Sequence, residues 1–173
     1  EILAWSTQLL APVTVDTLEG EGTDSLAGYL SLLHGRRPQV QGYATRQEET
    51  KALVDRVRTL LAEGLAPHEI GVCARFNLSL DAAEEKLRAA GIPVLRVKGQ
   101  VDQGTEGVRL ATMHAMKGLE FRAVSVLGVS EGAVPFPRGI TPREADPLQH
   151  EADLLRERCL LFVACTRARE ALS

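Results

Sequence analysis

Apolar residues along this chain follow two rhythms. In RQEETKALVDRVRTLLAEG, Leu53, Val54, Val57, Leu60 and Leu61 share one face at helical spacing, acids crowd the first turn and Gly64 stands at the stop. That pattern predicts an amphipathic helix packed on something. SLDAAEEKLRAAG predicts another, closing at Gly91, and Leu26, Tyr29, Leu30 and Leu33, between Thr23-Asp24-Ser25 and Gly35, predict a shorter one. The runs Ile70–Ala74, IPVLRV, VRLAT and AVSVLGV are apolar but of strand length, with a helical turn expected at Pro67 before the first. Strand, helix, strand in that order predicts a βαβ unit with a right-handed crossover, hence an α/β fold with helices over a parallel sheet.

SEGAVPFPRGITPREADPLQH holds four of the chain's eight prolines and no periodicity, so it reads as a long surface loop. EADLLRERCLLFVACTRAREALS predicts a last helix carrying Leu154, Leu155, Leu161, Phe162 and Val163, stopping near CTRAR, with a further strand beginning at about Ala171. The chain is expected to be cut from something longer.

With 173 residues, 45% hydrophobic and 25% charged, the chain suffices for one domain with a proper core. No apolar run is long enough to span a bilayer and EILAWSTQLL has no secretory pattern, so a cytoplasmic location is the expectation. Cys73, Cys159 and Cys165 contain no CxxC pair, and the four histidines lack ligand spacing. Neither a disulfide nor a metal site is expected in this chain. A net charge of −3 and a pI near 5.9 argue against a dedicated basic DNA-binding module. They leave room for a motor that grips a strand through a few hydroxyl, backbone and Arg contacts.

The densest chemistry is TMHAMKGLEF, Thr112 to Phe121, directly after VRLAT. A strand end offering hydroxyl, imidazole and free N–H groups suits phosphate or sugar. Taken singly these residues have blander readings: Thr112 as a cap, His114 bonded to backbone, Lys117 solvated, the arginines of CTRAR serving a helix end.

In order, CARFN, LRVKG, TMHAMKGLEF and ERCLLFVACTRAR resemble the C-terminal half of the UvrD/Rep-type superfamily 1 DNA helicases. Thr112, His114, Lys117, Gly118, Leu119, Glu120 and Phe121 match the family's motif V, T-x-H-x-x-K-G-L-E-F. Arg158, Leu160, Val163, Thr166, Arg167 and Ala168 match motif VI, R-x-L-x-Y-V-x-x-T-R-A, with Phe162 in place of Tyr. The resemblance runs from roughly Tyr43 to the end. It implies a RecA-like domain over residues 41–173, preceded by a helical lead-in of the same domain at 1–40. A short connector at 98–107 stands where relatives insert a helical subdomain.

The resemblance also implies roles. Arg167 matches an arginine finger for the ATP γ-phosphate, while Glu120, Gly118 and Lys117 fall on the nucleotide side near the ribose. Thr112, His114, Arg75 and Asn77 match groups facing single-stranded DNA. The implied partners are that strand and an N-terminal RecA-like domain of the same protein, with ATP as cofactor and Mg²⁺ held by that other half. A role in DNA repair or replication restart, with 3′-to-5′ movement, is the family analogy. No GxxxxGK[ST] and no DExx-type acidic pair occur, and motif IV with its Arg is not recognisable in EILAWSTQLL, so this chain alone is expected not to hydrolyse ATP. A non-catalytic helicase-like binding module, the helicase part of a helicase-nuclease, and an α/β nucleotide-binding domain unrelated to DNA are the alternatives.

Overall fold

The hydrophobic rhythm dictates most of the elements that form. The structure, a computed structural model, describes residues 1–10, 14–16, 23–25, 36–97 and 106–173. Helix α1 (Ile2–Ser6) and a 3₁₀ turn (Thr7–Leu10) precede two short strands, β1 (Thr14–Asp16) and β2 (Thr23–Ser25), paired antiparallel. Next come α2 (Arg46–Ala62), a 3₁₀ turn at Pro67–Glu69, β3 (Ile70–Ala74), α3 (Asn77–Ala89), β4 (Val94–Arg96) and β5 (Val108–Thr112). A 3₁₀ turn (Met113–Met116), β6 (Phe121–Leu127), α4 (Pro147–Cys165) and β7 (Ala168–Leu172) complete the fold.

Five strands form one sheet in the order β4-β5-β3-β6-β7, every neighbour pair parallel. The expected α/β architecture is therefore the one observed. Strand alternation divides the core in two. Val72 and Leu110 point to the face covered by α2 and α3, against Val57, Leu80 and Leu87. Cys73, Ala111 and Val124 point to the other face, under Ile2 of α1, Met113, Met116 and Ala164 of α4. At Gly71 a Cβ would meet the Phe121 ring at 2.6 Å, so the ring lies directly on the β3 backbone.

Helix ends follow the sequence signals. Thr45 Oγ1 accepts from the Glu48 N–H at 3.2 Å, and the Glu48 carboxylate accepts in return from the Ala44 N–H at 3.1 Å, capping α2. Gly64 and Gly91, at φ +93° and +75°, turn the chain out of α2 and α3 in the left-handed region.

Several boundaries differ from the expectation. Helix α4 begins at Pro147, not Glu151, because Asp146 caps it through the Gln149 N–H at 3.0 Å and Pro147 fits its first turn. Strand β7 begins at Ala168, not Ala171, drawn in by pairing with β6, and β6 begins at Phe121. Asn77, expected at a strand end, is the first residue of α3. The lead-in expected to be helical contains α1 but also the β1–β2 pair, and Thr23–Ser25, expected to start a helix, lie in β2. The helix expected over Leu26–Leu33 and most of the 98–107 connector fall outside the described residues.

Candidate functional site

The crossover from β5 to β6 is the TMHAMKGLEF segment itself. Register places Thr112 beside Ala74 and Leu127 at the carboxyl ends of the strands, whereas Phe121 starts β6 at the opposite end beside Ala168. Thr112 to Phe121 therefore runs the length of the sheet against the strand direction, about 20 Å at a rise of ~3.3 Å per residue along β6. One motif touches both ends of the domain.

At the carboxyl end, α3 leaves β3 over one face and the 3₁₀ turn leaves β5 over the other, the topological switch that opens a crevice in α/β sheets. A cleft of about 390 Å³ lies there, lined by Asn77, Thr112, Asp81, Glu84, Arg96 and the buried Leu110 among others. Thr112 and Asn77, both expected on the DNA side, thus share one crevice. Thr112 is also a cap: its Oγ1 accepts from the Ala115 N–H at 3.3 Å. Arg96 donates to Glu84 at 2.8 Å and to Asp81, so its charge is already met. Burial pushes the Glu84 carboxyl up, but hydrogen bonds from Arg96 and Arg88 outweigh it and hold it below its ordinary value.

His114 is exposed on the 3₁₀ turn. Arg75 is not: its Nε and Nη2 donate to Glu157 Oε2 and Oε1 at 3.1 and 2.8 Å, with the two side chains 15% and 9% exposed. Glu157 also accepts from the Phe136 N–H at 3.1 Å. Burial pushes this carboxyl up, yet the bonds from Arg75 and Phe136, with the charges of Arg75 and His114, hold it below its usual range. One turn earlier, Asp153 accepts from the Thr141 N–H and hydroxyl and from Gln149 Nε2, all at 2.8 Å, and these bonds lower its pKa to about 2. Asp153 and Glu157 together fasten the loop between β6 and α4 onto the helix.

These acids are buried, site-shaping residues that periodicity missed. Leu154, Leu155, Leu161, Phe162 and Val163 are only half-buried, while Asp153 and Glu157 are buried with Ala164 and Cys165. The readable signal was two acids four residues apart on a face continued by Ala164, which demands partners.

At the other end, the backbone carbonyl of Arg167 accepts from the Phe121 N–H at 2.9 Å, which ties the two motifs together. The Arg167 side chain folds over the end of α4: Nε donates to the Val163 carbonyl at 3.1 Å, and Nη1 and Nη2 reach the Leu119 carbonyl and Thr166 Oγ1, each at 3.4 Å. Long bonds at the two amino groups leave the fork weakly held. Lys117, Gly118 and Glu120 are exposed beside it. Gly118 takes φ +82°, and a Cβ there would meet nothing within 4 Å, so its glycine answers to backbone conformation and leaves open space. Cys73 and Cys165 lie in the core between the two ends, where burial pushes both thiols up, Cys165 to about 12.

The chain is similar to known proteins in sequence and in fold. Residues 97–173 match the UvrD-like helicase C-terminal domain. The ATP-dependent DNA helicase PcrA of Bacillus subtilis is 37% identical over 83 residues, 48% of this chain and 10% of that one. The ATP-dependent DNA helicase Rep of Buchnera aphidicola is 42% identical over 65 residues, 38% of this chain and 8% of that one. The chain thus spans about a tenth of the length of these curated relatives. In fold it is similar to the C-terminal domain of a possible DNA helicase from Lactobacillus plantarum WCFS1, at a TM-score of 0.56 and 17% identity, covering 99% of this chain and 81% of that one. Motif spacing and the family model thus point the same way, residues 97–173 being similar to the UvrD-like helicase C-terminal domain.

Proposed function

We propose that this chain is the second motor domain of an ATP-dependent DNA helicase or translocase, acting with an N-terminal RecA-like domain of the same protein. The observation that carries the reading is the course of Thr112–Phe121, which joins a crevice at one end of the sheet to Arg167 at the other. A shift of Glu120 or Gly118 when nucleotide changes would be transmitted along a short, packed segment, with Met113 and Met116 buried beneath it, to Thr112 and His114.

In this reading Arg167 leaves its two weak contacts to stabilise charge developing on the γ-phosphate, while its Nε bond to Val163 keeps the guanidinium aimed. Glu120 and Lys117 bear on the sugar and phosphates, and the open space at Gly118 admits close approach of the nucleotide. Thr112, His114 and Asn77 face single-stranded DNA. Among the described residues no three His, Cys, Asp or Glu side chains come together, so Mg²⁺, which would neutralise phosphate charge, is assigned to the other half. The observed pairing of Arg75 with Glu157 favours a structural role for Arg75, with DNA contact left to its neighbours.

The test is ATP hydrolysis by the full-length protein, with and without single-stranded DNA, for wild type and Arg167→Ala. DNA-stimulated turnover that falls on the order of 10³-fold in the variant is expected. Wild-type protein without DNA-stimulated turnover would favour the non-catalytic binding module instead.

A further inference from the structure

Strand β7 lies at the edge of the sheet, so β6 alone sets its register there. The pairing is irregular where β7 begins. From the Phe121–Ala168 pair to the Ala123–Ala171 pair, β6 advances by two residues and β7 by three. Arg122 therefore stands opposite two residues, Arg169 and Glu170, in a bulge of a kind uncommon between parallel strands. The extra residue comes directly after Arg167 and Ala168. Because side chains alternate along a strand, removing it would slide Ala168 by one position along β6 and turn it out of the core it shares with Phe121.

The residue opposite the bulge spans it. Arg122 Nε and Nη2 donate to Glu170 Oε1 and Oε2 at 2.7 and 2.9 Å, a two-point contact that fixes orientation as well as distance. Nη1 reaches Glu69 Oε2 at 3.4 Å, and the same oxygen accepts from the Ala66 N–H at 2.8 Å. The bulge is thus tied to the turn that opens β3. Arg167 stands between two fastenings, its own Nε bond to the Val163 carbonyl on α4 and the Arg122–Glu170 pair on the strand that follows. An ion pair with side chains 38% and 53% exposed adds little to folding stability. What it does fix is the path of the chain leaving Arg167.

We propose that Arg122 and Glu170 are positioning residues for Arg167, holding the bulge in register and with it the angle at which the Arg167 guanidinium meets the γ-phosphate. This rests on the reading of Arg167 as the group that stabilises charge there, and it adds two residues that lie outside both motifs. Bulges beside active sites commonly re-aim a side chain. A displacement of about 1 Å at such a group can cost on the order of 10²-fold in rate.

The experiment measures ATP turnover by the full-length protein at saturating single-stranded DNA. Wild type is compared with Arg122→Ala, Glu170→Gln, Arg167→Ala and the double variant Arg122→Ala with Arg167→Ala. Arg122→Ala and Glu170→Gln are each expected to lower kcat by roughly 10-fold to 10²-fold with KM for ATP within about twofold, as for a contact made only in the transition state. Adding Arg122→Ala to Arg167→Ala should change nothing further, since a residue that acts through Arg167 has nothing left to position. Glu170→Gln keeps the shape of the side chain and carries the test where Arg122→Ala fails to fold. Single variants that turn over like wild type, or an Arg122→Ala loss that persists in full beside Arg167→Ala, overturn the proposal and leave the role of Arg167 in place. An Arg167→Ala protein that turns over like wild type overturns that role, and this proposal with it.

Discussion

Replacing Glu157 by Gln should cost this domain about 2–3 kcal/mol. The carboxylate accepts three hydrogen bonds, two from Arg75 and one from the Phe136 N–H. A carboxamide set with its oxygen at the Oε2 position keeps the bonds from Arg75 Nε and Phe136 but turns an NH₂ group toward Arg75 Nη2, donor against donor. One charge-assisted bond is lost, worth roughly 1.5–3 kcal/mol. The guanidinium also loses its counter-charge at 15% exposure, short of the full penalty of a buried pair. Melting followed by circular dichroism at pH 7 should fall by roughly 4–12 °C, given about 2–4 °C per kcal/mol for a domain of this size. The folded-state pKa of Glu157 is lowered, so its contribution is present above its ordinary value of 4.5 and lost as pH falls through the folded value. The gap between wild type and variant should therefore narrow in acid. A cycle with Arg75→Met and Glu157→Met should give a coupling of at least ~1 kcal/mol. Melting within about 0.5 kcal/mol of wild type, or additive single effects, would refute the claim that this pair holds the loop to α4.

Gly71→Ala should destabilise by ~1–3 kcal/mol in urea unfolding, because its Cβ would fall 2.6 Å from the Phe121 ring; an unchanged midpoint would mean that the ring moves freely. Gly118→Ala should cost ~1–2 kcal/mol from its φ of +82° alone, with no steric component, and Gly118→Asn less than that. Asp153→Asn should remove stability above the ordinary carboxyl value of 3.8, the difference vanishing as pH falls toward about 2; a difference that persists in acid would point to packing instead. Thr112→Val should lower stability by about 1 kcal/mol through its lost cap while Thr112→Ser should not. In the full-length protein, Thr112→Ala with His114→Ala should weaken DNA stimulation of turnover more than basal turnover, and equal losses would argue against their facing DNA.

The amphipathic stripe of Leu53, Val54, Val57 and Leu60 and the left-handed glycines at 64 and 91 were legible because helix period and stop are local properties. The apolar runs likewise announced strands and a parallel sheet, and two contiguous motifs carried the resemblance that the family model also finds over residues 97–173. What local patterning could not carry was register. Strand order decided that Thr112 and Arg167 stand at opposite ends of the sheet, so that one short segment spans both. Tertiary packing also decided which residues of α4 are most buried: Leu160 and Leu161 pack partly exposed against the core while Asp153 and Glu157 go inside, because the loop after β6 brings backbone N–H groups and Arg75 from 82 residues away to meet them. Phe76 and Phe136, far apart along the chain, became a pair for the same reason. A charge on a helix becomes an interior residue only when distant groups satisfy it, and those partners are known only once the chain has folded.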